Sequence, residues 1–166
     1  MTTTGDLVRY DSERERYGIG ATGTVLTVVG GLPAWASAGH VTQSRALEVA
    51  ASDETTALTV ADDKVTFRMP YAMTLNAGIA GVRASLTTAG TTSGVTTIDI
   101  EQGGSSILST LLTIDYGEKT SYTAATPVVV GTTALTDNSE MTINVDVLSG
   151  GATEAGLKIQ LIGTLA

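Results

Sequence analysis

The stretch MTINVDV, residues 141–147, carries the clearest indication of the fold class, because its apolar and polar side chains alternate strictly. Successive side chains of a β-strand point to opposite faces, so a period of two is typical of a strand with one face on a core and one face in water. The apolar face of this strand is predicted to hold Met141, Ile143, Val145 and Val147.

Short runs of the same kind continue on both sides of this stretch. A turn at Gly150-Gly151 leads to a last alternating run, 157–161, and short apolar or alternating runs begin near Arg45. The other predicted strands cover 46–51, 57–61, 65–69, 82–86, 96–100 and 107–114, with shorter apolar pieces at 73–75 and 127–130 and turns at Asp62-Asp63 and around Gly117. Roughly eight or nine short strands with frequent turns predict an all-β domain, an antiparallel β-sandwich or jelly-roll-like fold. No helical pattern alternates with these strands, which argues against a βαβ architecture.

Composition and charge agree with a β domain and exclude several classes of function. Hydrophobic residues make up 42% of the 166-residue chain but aromatic residues only 4%, so aliphatic side chains must fill the core. The absence of cysteine excludes disulfides, cysteine metal sites and thiol catalysis. A net charge of −8 argues against partners such as nucleic acid or an anionic membrane, which need a concentrated basic surface.

Residues 1–45 differ from the rest of the chain and are predicted to form an extended N-terminal arm for attachment or oligomerisation. Residues 46–166 are predicted to form the sandwich domain. The arm contains the mixed-charge run 11–16, interpreted either as a solvated stretch or as an ion-pairing patch for a partner subunit. Its apolar residues come in pieces too short for a core of their own, so we expect them to dock on another protein. The predicted interface residues are Leu7, Val25, Leu26, Val28, Leu32 and Trp35.

A search for catalytic chemistry predicts no enzyme, no catalytic residue, no metal site and no cofactor. His40 is the only histidine and is interpreted as a solvated linker residue. The carboxylate pairs Asp53-Glu54 and Asp62-Asp63 are interpreted as turn residues, with a calcium-binding loop as the weaker alternative. The run GIGATG, residues 18–23, has the letters of a dinucleotide-binding loop but precedes β-branched residues, whereas that loop must open a helix.

Three tyrosines, Tyr71, Tyr116 and Tyr122, would form a sugar-binding surface with Arg83 and Lys119 if the fold brought them together. Packing within the domain is the interpretation we favour for them. The alternative places binding in loops 87–94, 115–126 and 131–139, because loops on a rigid scaffold often carry recognition.

Two segments, 4–11 and 17–35, resemble a region of tailed-bacteriophage fibre and virion proteins. There the pattern reads G-D-hydrophobic, then G-x-x-G-x-V-L-T, a glycine-containing turn and P-x-W, and in this chain it ends at Pro33-Ala34-Trp35. The charged run 12–16 departs from the pattern. The rest of the chain, through 67–71 to the C-terminus, is similar to small β domains encoded in phage genomes.

This resemblance implies a homotrimeric, non-enzymatic structural protein of the virion. The expected function is a capsid decoration or head fibre protein anchored by its N-terminal arm; the alternative is a tail fibre or a receptor- or glycan-binding module. The expected partners are other copies of the chain and the major capsid or other virion proteins, with a host surface glycan in the alternative. The N-terminus has no apolar signal-peptide region, and the expected location is the virion, assembled in the host cytoplasm.

Overall fold

The chain divides into two compact units, Met1–Val41 and Thr42–Ala166, in a computed structural model that describes residues 7–10, 14–37 and 44–166. The predicted division after residue 45 differs slightly from this one, because Ser44 and Arg45 already belong to the first strand of the second unit. His40 and residues 11–13 of the mixed-charge run lie outside the described residues.

The first unit contains two antiparallel hairpins in its described residues. One hairpin joins β1 to β2, with Leu7 opposite Tyr17 and Tyr10 opposite Arg14. The other joins β3 to β4 through Gly30-Gly31. The strands are β1 (Leu7–Tyr10), β2 (Arg14–Tyr17), β3 (Thr24–Val29) and β4 (Leu32–Ser37).

The second unit is built from short strands, joined by loops and two 3₁₀ turns at Gly78–Ala80 and Ser121–Thr123. The strands are β5 (Ser44–Ala50), β6 (Ala61–Arg68), β7 (Met73–Leu75), β8 (Val82–Ser85), β9 (Val95–Gln102), β10 (Ser105–Ser106), β11 (Leu108–Thr110), β12 (Leu112–Asp115), β13 (Val129–Val130), β14 (Ala134–Leu135), β15 (Glu140–Val147) and β16 (Lys158–Leu165).

These strands form two five-stranded sheets and one small sheet, all with antiparallel pairing. The first sheet has the order β10-β9-β15-β6, and β12 also pairs with β9. The second sheet has the order β14-β7-β16-β5, and β8 also pairs with β16. The small sheet consists of β11 and β13.

One apolar core joins the two large sheets and confirms the predicted antiparallel sandwich. The alternating stretch 141–147 lies in the middle of the first sheet as β15, where Met141, Ile143 and Val145 are fully buried. From the second sheet, Val82 and Leu161 contribute to the same core. The finer prediction of a jelly-roll-like connectivity stays a prediction.

Val147 departs from the predicted alternation, since its side chain is exposed although it follows Val145 at the right spacing. The register of β15 with β9 shifts between Val145 and Val147, so the end of the strand no longer follows the pattern of its buried part.

The predicted strand 57–61 and the predicted turn at Asp62-Asp63 are both wrong. Residues 57–60 form a loop, and β6 runs through both aspartates to Arg68. Asp63 has a φ of 50°, at a point where the register between β6 and β15 shifts. Its backbone N–H donates a hydrogen bond of 2.8 Å to Asn144 Oδ1. Between its pairs with Ile143 and Val145, β6 has two more residues than β15, which makes a β-bulge. The positive φ and the aspartate of such a bulge are also typical of a turn.

The predicted strand 107–114 is divided at Leu111 between two sheets. β11 pairs with β13, whereas β12 pairs with β9. Leu108, Leu112 and Ile114 are nevertheless all buried, as predicted.

Candidate functional site

The β3–β4 hairpin, which we call the apolar hairpin, owes its shape to its sequence. Five of the six residues of β3 are β-branched, which favours a pleated strand. Gly30 and Gly31 have φ values of 61° and 85°, the backbone conformation that a tight two-residue hairpin turn requires at both positions. Val29 therefore pairs with Leu32, and the register continues to Thr24 opposite Ser37.

Apolar side chains lie on both faces of the apolar hairpin. Leu26 and Val28 lie on one face, and Val25, Val29 and Leu32 lie on the other, because alternate residues of each strand share a face. All five side chains are exposed, Val28 to 71% and Val29 to 60%. No charged residue occurs between Arg16 and His40. Apolar side chains in such numbers on an uncharged ribbon are typical of a surface that associates with protein.

Trp35 lies in the middle of β4, opposite Leu26, and is only partly exposed. Its indole N–H donates a hydrogen bond of 2.7 Å to the carbonyl oxygen of Gly18. Its ring lies directly on Gly20, where an added Cβ would come within 2.5 Å of Trp35 Cδ2. The glycines of run 18–23 therefore serve the packing of the tryptophan and a turn before β3, where the nucleotide-binding motif would need a helix.

The predicted interface residues are thus largely together. Val25, Leu26, Val28 and Leu32 form the exposed surface of the apolar hairpin, and Trp35 lies in register with Leu26. Leu7 lies in β1, and its side chain is outside the described part of the chain. Their role as an interface stays a prediction.

The first of the two carboxylate pairs is engaged in local structure of the sandwich. Asp53 Oδ1 accepts hydrogen bonds from the backbone N–H of Thr56 at 2.6 Å and of Thr55 at 2.9 Å, which lower its pKa to about 2. These hydrogen bonds form the turn that the sequence predicts at Asp53-Glu54. Glu54 forms an ion pair with Lys158 and accepts a hydrogen bond from Thr87, and these contacts lower the pKa of Glu54.

The predicted tyrosine cluster forms only in part. Tyr116 and Tyr122 are both more than half exposed, whereas Tyr71 packs partly buried against the core. The guanidinium carbon of Arg83 lies over the ring of Tyr122, 5.3 Å from its centroid. Lys119 is exposed, and its backbone carbonyl accepts a hydrogen bond from Leu86 N–H.

The three predicted binding loops do not gather at one end of the sandwich. Gly117 N–H donates to the Gly90 carbonyl, so loops 87–94 and 115–126 meet beside the beginning of β9. Thr136 N–H donates to Gln102 Oε1, which places loop 131–139 beside the end of β9. A single loop-borne site that uses all three segments is therefore not formed.

A buried glutamate, Glu154, is a feature that the sequence did not indicate. Its side chain is fully buried, and Oε1 accepts hydrogen bonds from Thr96 Oγ1 at 2.8 Å, Ser149 N–H at 2.9 Å and Ser149 Oγ. Oε2 has no hydrogen-bond partner among the described residues. Burial alone would raise the pKa of Glu154, but the hydrogen bonds from Ser149 and Thr96 outweigh it and lower the pKa. In sequence, Glu154 looks like any loop glutamate, because its neighbours include Thr96, 58 positions away, as well as Ser149, five positions away.

Within residues 7–10, 14–37 and 44–166, no group of three or more histidine, cysteine or acidic side chains is arranged to hold a metal ion. In the same part of the chain, no helix has the length and hydropathy that crossing a membrane requires.

Comparison of the chain with protein-family models, with curated proteins and with solved structures finds no match.

Proposed function

We propose that this chain is a non-enzymatic structural protein of a bacteriophage particle, a homotrimeric capsid decoration or head fibre protein. In this proposal the N-terminal unit associates with other copies and with the major capsid or another virion protein, and the sandwich domain is displayed. The observation that carries the proposal is the apolar hairpin, whose side chains are exposed on both faces in a single chain.

A two-stranded sheet with both faces in water is at best marginally stable. Burying a Val or Leu side chain fully contributes roughly 1.5–3 kcal/mol, so covering the five exposed side chains of the apolar hairpin would give a substantial driving force for association. In the two-stranded sheet of the described residues, β3 and β4 also each keep one edge without a strand partner. Edges of this kind pair readily with further strands.

Self-association is the simplest way to cover such a surface, because every further copy of the chain presents the same apolar hairpin. Three copies around an axis can pack the face with Leu26, Val28 and Trp35 inward and leave the other face for the particle. The trimeric state is inferred from the resemblance to fibre and virion proteins. The location in the virion is inferred from the same resemblance.

The second unit supports a role in display. It has its own apolar core with contributions from both large sheets. Of its two carboxylate pairs, Asp53 shapes a turn and Glu54 forms an ion pair with Lys158. Asp62 and Asp63 lie in β6, at its β-bulge. Within the described residues, neither pair belongs to a group of three or more histidine, cysteine or acidic side chains that could hold a metal ion.

The test is the mass of the full chain in solution, compared with that of the variant Val28→Asp. We expect the unaltered chain to have about three times the 16.9 kDa mass of one copy, because the apolar hairpins cover one another. A buried, unpaired aspartate at position 28 should shift the variant to a single copy.

The matched control is Val60→Asp, since Val60 is also an exposed valine but lies in the second unit. This variant should keep the mass of the unaltered chain. A single-copy mass for the unaltered chain, or an unchanged mass for Val28→Asp, would contradict self-association. Absence of the chain from purified particles of the phage that encodes it would contradict the virion assignment.

A further inference from the structure

A row of polar side chains crosses the outer face of the second large sheet. Arg83 on β8, Gln160 on β16 and Glu48 on β5 are cross-strand neighbours, since Gln160 pairs in register with both others. Their sequence neighbours Val82, Ala84, Ile159 and Leu161 point inward and are buried, so these three side chains face away from the core. We call these three residues the polar row.

The members of the polar row are held in defined positions. Gln160 Nε2 donates a hydrogen bond of 2.7 Å to Glu48 Oε2. Arg83 Nε donates one of 2.8 Å to the carbonyl oxygen of Ile79. These bonds leave the two terminal nitrogens of Arg83 and one oxygen of Glu48 without a hydrogen-bond partner in the described residues, so they remain available to a ligand.

Tyr122 flanks this row and is presented on a rigid turn. Ser121, the residue before it, is buried, and its Oγ accepts a hydrogen bond of 2.8 Å from Ala84 N–H on β8. The backbone N–H of Tyr122 donates to Thr120 Oγ1 at 3.1 Å. With its backbone fixed and Arg83 over its ring, the tyrosine still exposes 64% of its surface.

We propose that Tyr122 and the polar row form a binding site for a carbohydrate. Sugars present apolar C–H faces that stack on aromatic rings and rims of hydroxyl groups that need both donors and acceptors. Tyr122 offers the ring, Arg83 and Gln160 offer donors, and Glu48 and Gln160 offer acceptors.

The charge of the site selects the class of sugar. Arg83 and Glu48 carry opposite charges and Gln160 is neutral, so the row has no net charge. Glu48 would repel a phosphate or an acidic peptide, and Arg83 would repel a basic peptide. Neither residue repels an uncharged, polyhydroxylated chain. The occupant that fits is a neutral oligosaccharide. The inference concerns the second unit and does not depend on the proposed trimer or on the virion assignment.

The experiment is binding of the full chain to an array that contains neutral hexose and N-acetylhexosamine oligosaccharides together with acidic ones. We expect binding to neutral members. Titration calorimetry with a bound oligosaccharide from the array then compares the unaltered chain with three variants.

Tyr122→Ala should weaken binding about tenfold, because the stacking ring is lost, whereas Tyr122→Phe should retain most of it. Tyr116→Ala is the matched control, since Tyr116 is another exposed tyrosine that lacks the contact with Arg83, and it should bind normally. No binding to any neutral oligosaccharide, binding to acidic ones alone, or equal affinity of Tyr122→Ala and the unaltered chain would overturn the proposal. The Val28→Asp variant should bind sugar as the unaltered chain does, so failure of the trimer and failure of the site are separate outcomes.

Discussion

At the scale of single residues, Glu154 shows how one side chain can hold several segments together. Its carboxylate accepts hydrogen bonds from the beginning of β9 through Thr96 and from the loop after β15 through Ser149. Its backbone carbonyl accepts a hydrogen bond of 2.6 Å from Leu58 N–H. One residue thus connects three loops or strand ends at one end of the sandwich.

Replacing Glu154 by glutamine should lower the free energy of unfolding at neutral pH by about 1–3 kcal/mol. The amide loses the charge-assisted hydrogen bonds, and its NH₂ group lacks an acceptor where Oε2 now lies. Urea unfolding of both proteins measures the difference. Glu140→Gln is the control, because Glu140 forms only an exposed ion pair with Arg68 and should have a smaller effect.

The effect of Glu154 should depend on pH in a defined direction. The folded protein holds the pKa of Glu154 below its ordinary value, so the carboxylate stabilises the fold above that ordinary value. This contribution is lost as the pH falls through the lowered pKa. The difference in unfolding free energy between the unaltered chain and Glu154→Gln should therefore shrink on acidification, and a difference that grows would contradict the assignment.

Gly20 allows a second test at the residue scale. In Gly20→Ala the new Cβ would collide with the Trp35 ring, displacing the indole and breaking its hydrogen bond to Gly18. Because Trp35 is the only tryptophan, the near-ultraviolet circular dichroism of the chain should change in the tryptophan region. Gly18→Ala is the control, since a Cβ there meets no atom within 4 Å. Identical spectra for the two variants would mean that the ring does not rest on Gly20.

At the scale of elements, the sequence predicted strands well where burial is one-sided. The predicted inward faces of Val82, Ala84 and Leu86 and of Met141, Ile143 and Val145 are buried, because alternation records which side chains meet the core. In β15, however, Val147 is exposed, and Thr142 and Asn144 on the predicted polar face are buried as well. The sequence predicts a turn at Asp62-Asp63 where the structure has a bulge, because an aspartate with a positive φ is typical of both kinds of local structure.

The candidate sites show a similar limit at the scale of elements. The exposed side chains of the apolar hairpin are contiguous in sequence, so four of its predicted interface residues could be found together without a structure. The polar row could not be assembled in this way, because Glu48, Arg83 and Gln160 come from three strands that meet only through the topology of the sheet. Tyr122 and Arg83 belong to the cluster that the sequence predicts, and they do lie in contact. That predicted cluster also includes Tyr71, which packs against the core instead.

At the scale of the whole molecule, the two units differ in how they satisfy their apolar residues. The second unit buries Met, Ile, Leu and Val side chains in one core shared by its sheets. The first unit has its apolar side chains on a ribbon whose faces are open in the single chain. A protein that combines these features is suited to be carried on a larger assembly by one part while the other remains accessible.

We propose that other copies of the chain cover the apolar hairpin in the native protein. Acrylamide quenching of Trp35 fluorescence tests it most directly, because this single tryptophan lies in register with Leu26 on the hairpin. We predict weak quenching in the unaltered chain and in Val60→Asp, and clearly stronger quenching in Val28→Asp, whose hairpin is uncovered. Quenching of the same strength in all three proteins, whether strong or weak, would show that the Val28→Asp change uncovers nothing at Trp35 and would contradict self-association.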